Sequence, residues 1–167
     1  MPGFVKTALI ALISICVTVV VMLAVWNRID NRPLLPDKPP DTIDQNAAID
    51  DTTEEKMKAP NGGSGLSLEY AKEVSIDLSS ANATLYFKNS GKSLQNAVVA
   101  LVIQDTVILQ SDLLPPGSTL TTIPLPTDGV PLQSGTYSGV FIVQFFDENG
   151  DAAHVNSCIE GITIFVK

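Results

Sequence analysis

The chain has 167 residues, with 18 aspartates and glutamates against 10 lysines and arginines, and a formal net charge of −8. This charge argues against a nucleic-acid partner, because phosphate binding depends on concentrated lysine and arginine. Its 2 cysteines and 1 histidine also fall short of the roughly four ligands of a structural zinc site, so we expect no metal and no cofactor.

An unbroken apolar segment at residues 7–26 is the first element along the chain. At about 1.5 Å per residue, a helix of this length spans the roughly 30 Å of a hydrocarbon core. The segment is longer than the apolar part of a cleaved signal peptide, and Trp26 suits the membrane interface. The sequence therefore predicts an uncleaved transmembrane anchor over residues 1–26, with membrane lipid as its partner.

The charges that flank the apolar segment are nearly balanced, with Lys6 before it and Arg28 and Arg32 after it. The positive-inside rule alone does not decide the orientation of such an anchor. Long domains are translocated largely regardless of nearby charge, whereas a short leader is hard to export. We therefore expect a single-pass protein of the cell membrane whose C-terminal domain is extracytoplasmic.

Small residues recur along the predicted anchor at spacings of four, three and four, which places them on one face of a helix. Such a face lets two membrane helices approach closely and predicts a possible homo-oligomer. Alternatively, the hydroxyl groups bond to the preceding turn of their own helix. The candidate association face consists of Thr7, Ala11, Ser14 and Thr18.

The composition changes abruptly after the apolar segment, and residues 27–65 carry prolines, then an acidic run, then the glycine-rich sequence NGGSG. Prolines favour an extended spacer, and a charged segment of this kind buries too little apolar surface to fold alone. The sequence predicts a flexible, disordered linker. Only Ala47 and Ile49 suggest local order, as a short helical turn.

Residues 66–167 alternate apolar and polar side chains over several short segments and show almost no helical periodicity. Glycine, asparagine and proline separate the segments, as turn residues do. The pattern predicts an all-β domain, a β sandwich of about seven strands. The expected strands are 73–78, 83–89, 94–104, 106–110, 120–125, 136–147 and 159–166.

The expected core follows from the same alternation. In the long strand 136–147, one face carries Tyr137, Gly139, Phe141, Val143 and Phe145. Its expected companions in the core are Leu85, Phe87, Ile162 and Ile164. Residues 98–103 are apolar on both faces, which predicts a central strand or a strand with one face against a partner.

Three sequence features could suggest chemistry, and each has a simpler interpretation. His154 and Cys158 lie four positions apart, but no second histidine or CxxC motif completes a metal site. The oxygens of Asp147, Asn149 and Asp151 resemble the start of a calcium loop, but the motif fails at the next residue, so we predict a tight turn. No nucleophile elbow or phosphate loop is present, and we expect no catalytic residue.

Three segments resemble the immunoglobulin-like modules of membrane-anchored bacterial envelope proteins. They are YFKNSGKSLQNAVVAL at 86–101, LPPGSTL at 114–120 and SGTYSGVFIVQF at 134–145. The resemblance implies an immunoglobulin-like β sandwich in an extracytoplasmic setting, with a binding or spacing role rather than catalysis. It implies no particular site residues.

Together these features predict a non-enzymatic single-pass membrane protein that displays a binding or scaffolding domain within a larger envelope assembly, with a protein partner there. Two alternatives stay open. A pilin-like subunit is suggested by Gly3 and Phe4 before the apolar segment, where a prepilin peptidase could cut after Gly3, although Ala8 stands where a pilin usually has glutamate. An enzyme would need a site assembled from scattered acidic residues.

Overall fold

A computed structural model describes residues 38–50, 54–58, 65–127, 130, 132–152 and 156–167. Every described residue lies within Leu35–Lys167, which forms one compact unit. The predicted anchor and its association face lie outside the described residues. Within the described residues, no helix is long and apolar enough to cross a membrane.

The described residues form nine β-strands and no helix, which confirms the predicted all-β class. All seven predicted strands are present, and their ends shift by no more than two residues. The strands are β1 Ala47–Ile49, β2 Leu68–Tyr70, β3 Glu73–Asp77, β4 Asn82–Asn89, β5 Asn96–Ile103, β6 Thr106–Gln110, β7 Ser118–Pro124, β8 Gly135–Phe146 and β9 Ser157–Val166.

All nine strands belong to one curled sheet. Its order is β1-β7-β4-β3-β9-β8-β5-β6, and β2 pairs separately with β4. Strands β4 and β8 are separated in this order by β3 and β9, yet the rings of Phe87 and Phe141 lie 6.2 Å apart in an edge-to-face contact. The sheet therefore curls until its two halves face each other across a shared core.

The two halves of the sheet are joined by β3, which pairs with β4 on one side and with β9 on the other. Strand β2 pairs with the end of β4, whereas β3 pairs with the start of β4 and runs parallel to β9. Between β2 and β3, Ala71 N donates to Tyr86 O at 3.0 Å, and Thr163 N donates to Lys72 O at 2.8 Å. The backbone thus changes partner within two residues and keeps its hydrogen bonds.

The core matches the face that the alternation predicts. The side chains of Phe141, Val143 and Phe145 are buried. The four expected companions are buried as well: Leu85, Phe87, Ile162 and Ile164. Tyr137 packs against the edge of the same cluster. Every residue of β5 from Ala97 to Ile103 is buried, which agrees with the prediction of a central strand.

Gly139 is the one position of the inward face that has no room for a side chain. A Cβ atom built there would lie 2.5 Å from Ile164 Cδ1 and 2.7 Å from the carbonyl oxygen of Val102. Strands β8 and β9 also change register between Gly139 and Phe141. A glycine is therefore required at this close approach of β8 to its neighbours.

The helical turn expected at Ala47 and Ile49 is wrong. These residues form β1, which pairs antiparallel with β7 in the register Ala47↔Leu120, Ala48↔Thr119 and Ile49↔Ser118. The prediction fails because this short segment is ordered by pairing with β7, which lies about seventy residues further along the chain. Local periodicity carries no information about so distant a partner.

Candidate functional site

Residues 38–50 and 54–58, which the sequence places in the spacer, lie against the sheet, and we call them the strap. Asp44 holds the first part of the strap and is only 5% exposed. Its carboxylate accepts hydrogen bonds from Asn46 N at 2.9 Å and from Asp112 N at 3.0 Å, while Asp44 N donates to Leu113 O at 3.0 Å. Asp44 therefore connects the strap to the segment between β6 and β7.

The middle of the strap continues along β7 and ends in an ion pair. Asp50 N donates to Gly117 O at 2.9 Å, directly after the three paired residues of β1. The Asp50 carboxylate lies 3.3 Å from Lys88 Nζ on β4. This hydrogen-bonded partner raises the pKa of Lys88 above its ordinary value. The pair is partly solvent-exposed, so its contribution to stability is modest.

The last part of the strap contacts the connection between β4 and β5. Glu54 Oε2 accepts a hydrogen bond from Ser90 Oγ at 2.9 Å, Lys56 Nζ donates to Ser93 O at 3.1 Å, and Met57 N donates to Lys92 O at 2.9 Å. A depression of about 180 Å³ remains between strap and sheet, beside Glu54. The hydrogen bond from Ser90, together with the nearby lysines, lowers the pKa of Glu54.

The lowered pKa of Glu54 predicts that acid weakens attachment of the strap. Because its pKa in the folded state lies below the ordinary value of 4.5, the ionised carboxylate stabilises the fold above that pH, and this contribution disappears as the pH falls through the folded-state pKa. We expect Glu54→Gln to melt at a lower temperature than the wild-type protein near neutral pH, with the difference vanishing on acidification.

The measurement for Glu54 is thermal unfolding of both proteins between pH 7 and pH 3, followed by circular dichroism. Glu160→Gln is the matched control, because Glu160 is an exposed carboxylate on β9 and does not contact the strap. A difference for Glu54→Gln that stays constant across this pH range would contradict the role given to the carboxylate.

A second depression, of about 320 Å³, lies on the outer side of β5, β8 and β9. Its apolar part comes from Val102 and Val140, and its carboxylates come from Asp105 and Glu160. The two-residue turn between β5 and β6 supplies Asp105 at φ +64°. The lining therefore offers carboxylates, the Ser138 hydroxyl and the Gln104 amide for hydrogen bonding and ion pairing.

The loop that resembles the start of a calcium site is a hydrogen-bonded turn, as predicted. Asp147 Oδ1 accepts hydrogen bonds from Asn149 N at 2.8 Å and from Asp151 N at 2.9 Å. The hydrogen bond from Asp151 N is the main cause of a lowered pKa of Asp147, and the bond from Asn149 N lowers it further. Gly150 has φ +82°, a conformation that glycine adopts readily.

The remaining predicted features are not brought together. Cys158 is an exposed free thiol on β9, and His154 lies outside the described residues. The anchor positions Thr7, Ala11, Ser14 and Thr18 also lie outside them. No group of three or more histidine, cysteine, aspartate or glutamate side chains among the described residues could hold a metal ion.

The functional residues that sequence reasoning missed are those of the strap, chiefly Asp44 and Glu54. Their partners, Asp112 and Ser90, lie far along the chain and carry no motif. The one local signal was the spacing of Asp44 and Asn46, which is typical of an Asx turn.

Comparisons of the chain with protein-family models, with curated proteins and with solved structures find no match. Two surfaces of the described residues are therefore interpreted from their own chemistry. One is the contact between the strap and the sheet, and the other is the depression beside Asp105 and Glu160.

Proposed function

We propose that this chain is a non-enzymatic single-pass protein of a bacterial cell membrane that displays an immunoglobulin-like domain on the outer side. Residues 7–26 anchor it, and the domain binds or scaffolds a protein partner in the envelope. The observation that carries this proposal is the order of parts, with a membrane-length apolar segment preceding a β domain whose sheet curls around one core.

The strand order supports the immunoglobulin-like assignment. In an immunoglobulin constant domain, strands A, B, E and D form one sheet and strands C, F and G form the other. Assigning β3, β4, β5, β7, β8 and β9 as A, B, C, E, F and G agrees with this division except at D. The place of D beside E is taken by β1, which precedes A in the chain, and β6 lies beside β5 as an additional strand. The parallel pairing of β3 with β9 then joins the first strand to the last.

Tyr137 supplies independent support. Immunoglobulin-like domains often carry a tyrosine near the start of strand F whose hydroxyl group bonds to the backbone a few residues upstream. Tyr137 is the third residue of β8, and its hydroxyl donates to Gln133 O at 2.9 Å. This contact fixes the loop that enters β8.

Tyr137→Phe is expected to lower the free energy of unfolding by about 1 kcal/mol, because it removes one hydrogen bond while the ring still packs against the core. Chemical denaturation followed by fluorescence or circular dichroism measures the change. Tyr86→Phe is the control, since the Tyr86 hydroxyl makes only an exposed contact of 3.4 Å with Glu69. Equal losses for the two variants would argue against a tyrosine corner.

The two ends of the domain differ in a way that fits display. The strap joins at the end where Ala97 bridges Leu114, since Ile43 bridges the neighbouring Leu113. The turn that contains Asp105 lies at the opposite end of β5. We expect this second end to meet the partner. Its exposed carboxylates suit a partner surface that carries lysine or arginine.

Membrane fractionation tests the proposal. The full chain should stay in the membrane pellet after an alkaline carbonate wash, whereas residues 38–167 expressed alone should be released. A full-length variant with Val20→Arg and Val21→Arg is the matched control, because charges at the centre of the segment oppose insertion. Release of the wild-type full chain by the wash would refute the anchor.

Amino-terminal sequencing of the membrane-extracted protein separates the proposal from the pilin-like alternative. An intact anchor begins at Met1 or Pro2, and a processed pilin begins at Phe4. Recovery of Phe4 as the first residue would favour the alternative.

A further inference from the structure

We propose that the edge of β7 is a strand-exchange site between two copies of this chain. In one copy alone, β1 occupies this edge. In the exchanged form, the strap of each copy occupies the other copy's β7. The occupant is thus a second copy of the same segment, and the inference does not depend on the membrane placement proposed above, because it rests only on contacts within the described domain.

The contacts of the strap can be transferred intact from one copy to another. Asp44 bonds to Asp112, β1 pairs with β7, and Asp50 pairs with Lys88. Each of these contacts has one partner in the strap and the other in the body of the sheet. An exchanged pair of copies therefore makes the same contacts as two separate copies, and concentration decides between the two forms.

The strap is also attached in a way that permits its release. Strand β1 pairs over only three residues and has a partner on one side, since β7 is its sole neighbour among the described strands. Ile43 and Ile49 remain 49% and 57% exposed. Release therefore costs the hydrogen bonds of Asp44 and β1 and the pair of Asp50 with Lys88, but little burial of Ile43 and Ile49, and such edge segments can open locally.

Direct pairing of one β1 with another is the competing arrangement, and the charges oppose it. Asp44 and Asp50 flank the strand. An antiparallel β1 pair centred on Ala48 would make Asp50 of one copy a diagonal neighbour of Asp44 of the other, and like charges across a strand pair are unfavourable. Exchange keeps Asp50 beside Lys88 instead.

Single-cysteine variants test the exchange. Two differently tagged full-length copies, both with Cys16→Ser and Cys158→Ser, are co-expressed and purified in detergent. One copy carries Ala48→Cys and the other carries Thr119→Cys, because these positions are directly paired between β1 and β7. We expect mild oxidation to give a disulfide-linked heterodimer whose yield rises with protein concentration.

The matched control places Ser138→Cys in one copy and Thr163→Cys in the other. These residues are directly paired between β8 and β9, which strap exchange leaves within one copy. Heterodimers from the first pair and none from the control would support the exchange.

Three results would overturn it. One is that the first pair gives no heterodimer, although a single chain that carries both Ala48→Cys and Thr119→Cys forms the disulfide within itself. The second is an equal heterodimer yield from the control pair. The third is a disulfide between two Ala48→Cys copies, which would favour direct β1 pairing.

Discussion

Replacing Phe141 with alanine is expected to lower the free energy of unfolding by about 3–5 kcal/mol, which is the usual cost of truncating a buried phenylalanine. The ring is fully buried, and it meets the ring of Phe87 from the opposite half of the curled sheet at 6.2 Å. Truncation removes apolar burial, leaves a cavity between the halves and deletes an edge-to-face contact. Chemical denaturation of residues 38–167 measures the loss.

Phe165→Ala is the matched control for this experiment. Phe165 lies on the neighbouring strand β9, but its side chain is 44% exposed. The Phe165→Ala variant should lose much less stability than Phe141→Ala, because the Phe165 ring buries less apolar area in the folded protein. A loss at Phe141 as small as that at Phe165 would mean that the register of β8 is reversed relative to the core.

Removing the strap is the second change expected to have a large effect. A protein that starts at residue 66 should be less stable than one that starts at residue 38 by roughly 3 kcal/mol or more. The deletion takes away the hydrogen bonds of Asp44, β1 and Asp50, and each such bond contributes about 0.5–1.5 kcal/mol. It also exposes the edge of β7 and so favours aggregation. Thermal melting and size-exclusion chromatography measure both effects.

Asp44→Ala separates a specific strap contact from a general effect of chain length. This variant keeps the full strap but leaves the backbone N–H groups of Asp112 and Asn46 without their carboxylate partner. It should show part of the loss seen for the deletion. If residues 66–167 are as stable as residues 38–167, the strap is a passive spacer, and the domain begins where the composition changes.

The strands of the domain could be predicted because their information is local. Alternation over β8 assigned Phe141, Val143 and Phe145 to the core, and the structure buries all three. The apolar run at 98–103 indicated a strand buried on both faces, as β5 is. In these segments, the side-chain period and the turn residues that end each strand agree with the tertiary fold.

The strap and the curl of the sheet could not be predicted, because both depend on distant partners. Pro39 and Pro40 and the acids of residues 50–55 are typical of a spacer, and no period marks β1. Its order comes from pairing with β7 and from the buried carboxylate of Asp44. Composition reports whether a segment can fold alone, whereas the strap is ordered by pairing with a strand from a distant part of the chain.

The candidate surfaces were equally hidden from the sequence. Asp105 and Glu160 lie 55 positions apart, and a turn and a register shift bring them to one depression. Glu54 and Ser90 meet only because the strap crosses the β4–β5 connection. By contrast, the turn at Asp147 was predictable, since asparagine and glycine carry their own backbone preferences.

Thiol labelling in oriented membranes tests the central claim most directly. Cys158 is a free and exposed thiol in the domain, and Cys16 lies within the apolar segment. A membrane-impermeant maleimide added to right-side-out vesicles should label the full chain without detergent, and Cys158→Ser should abolish the label. Labelling of Cys158 only after the vesicles are permeabilised would contradict display of the domain on the outer side.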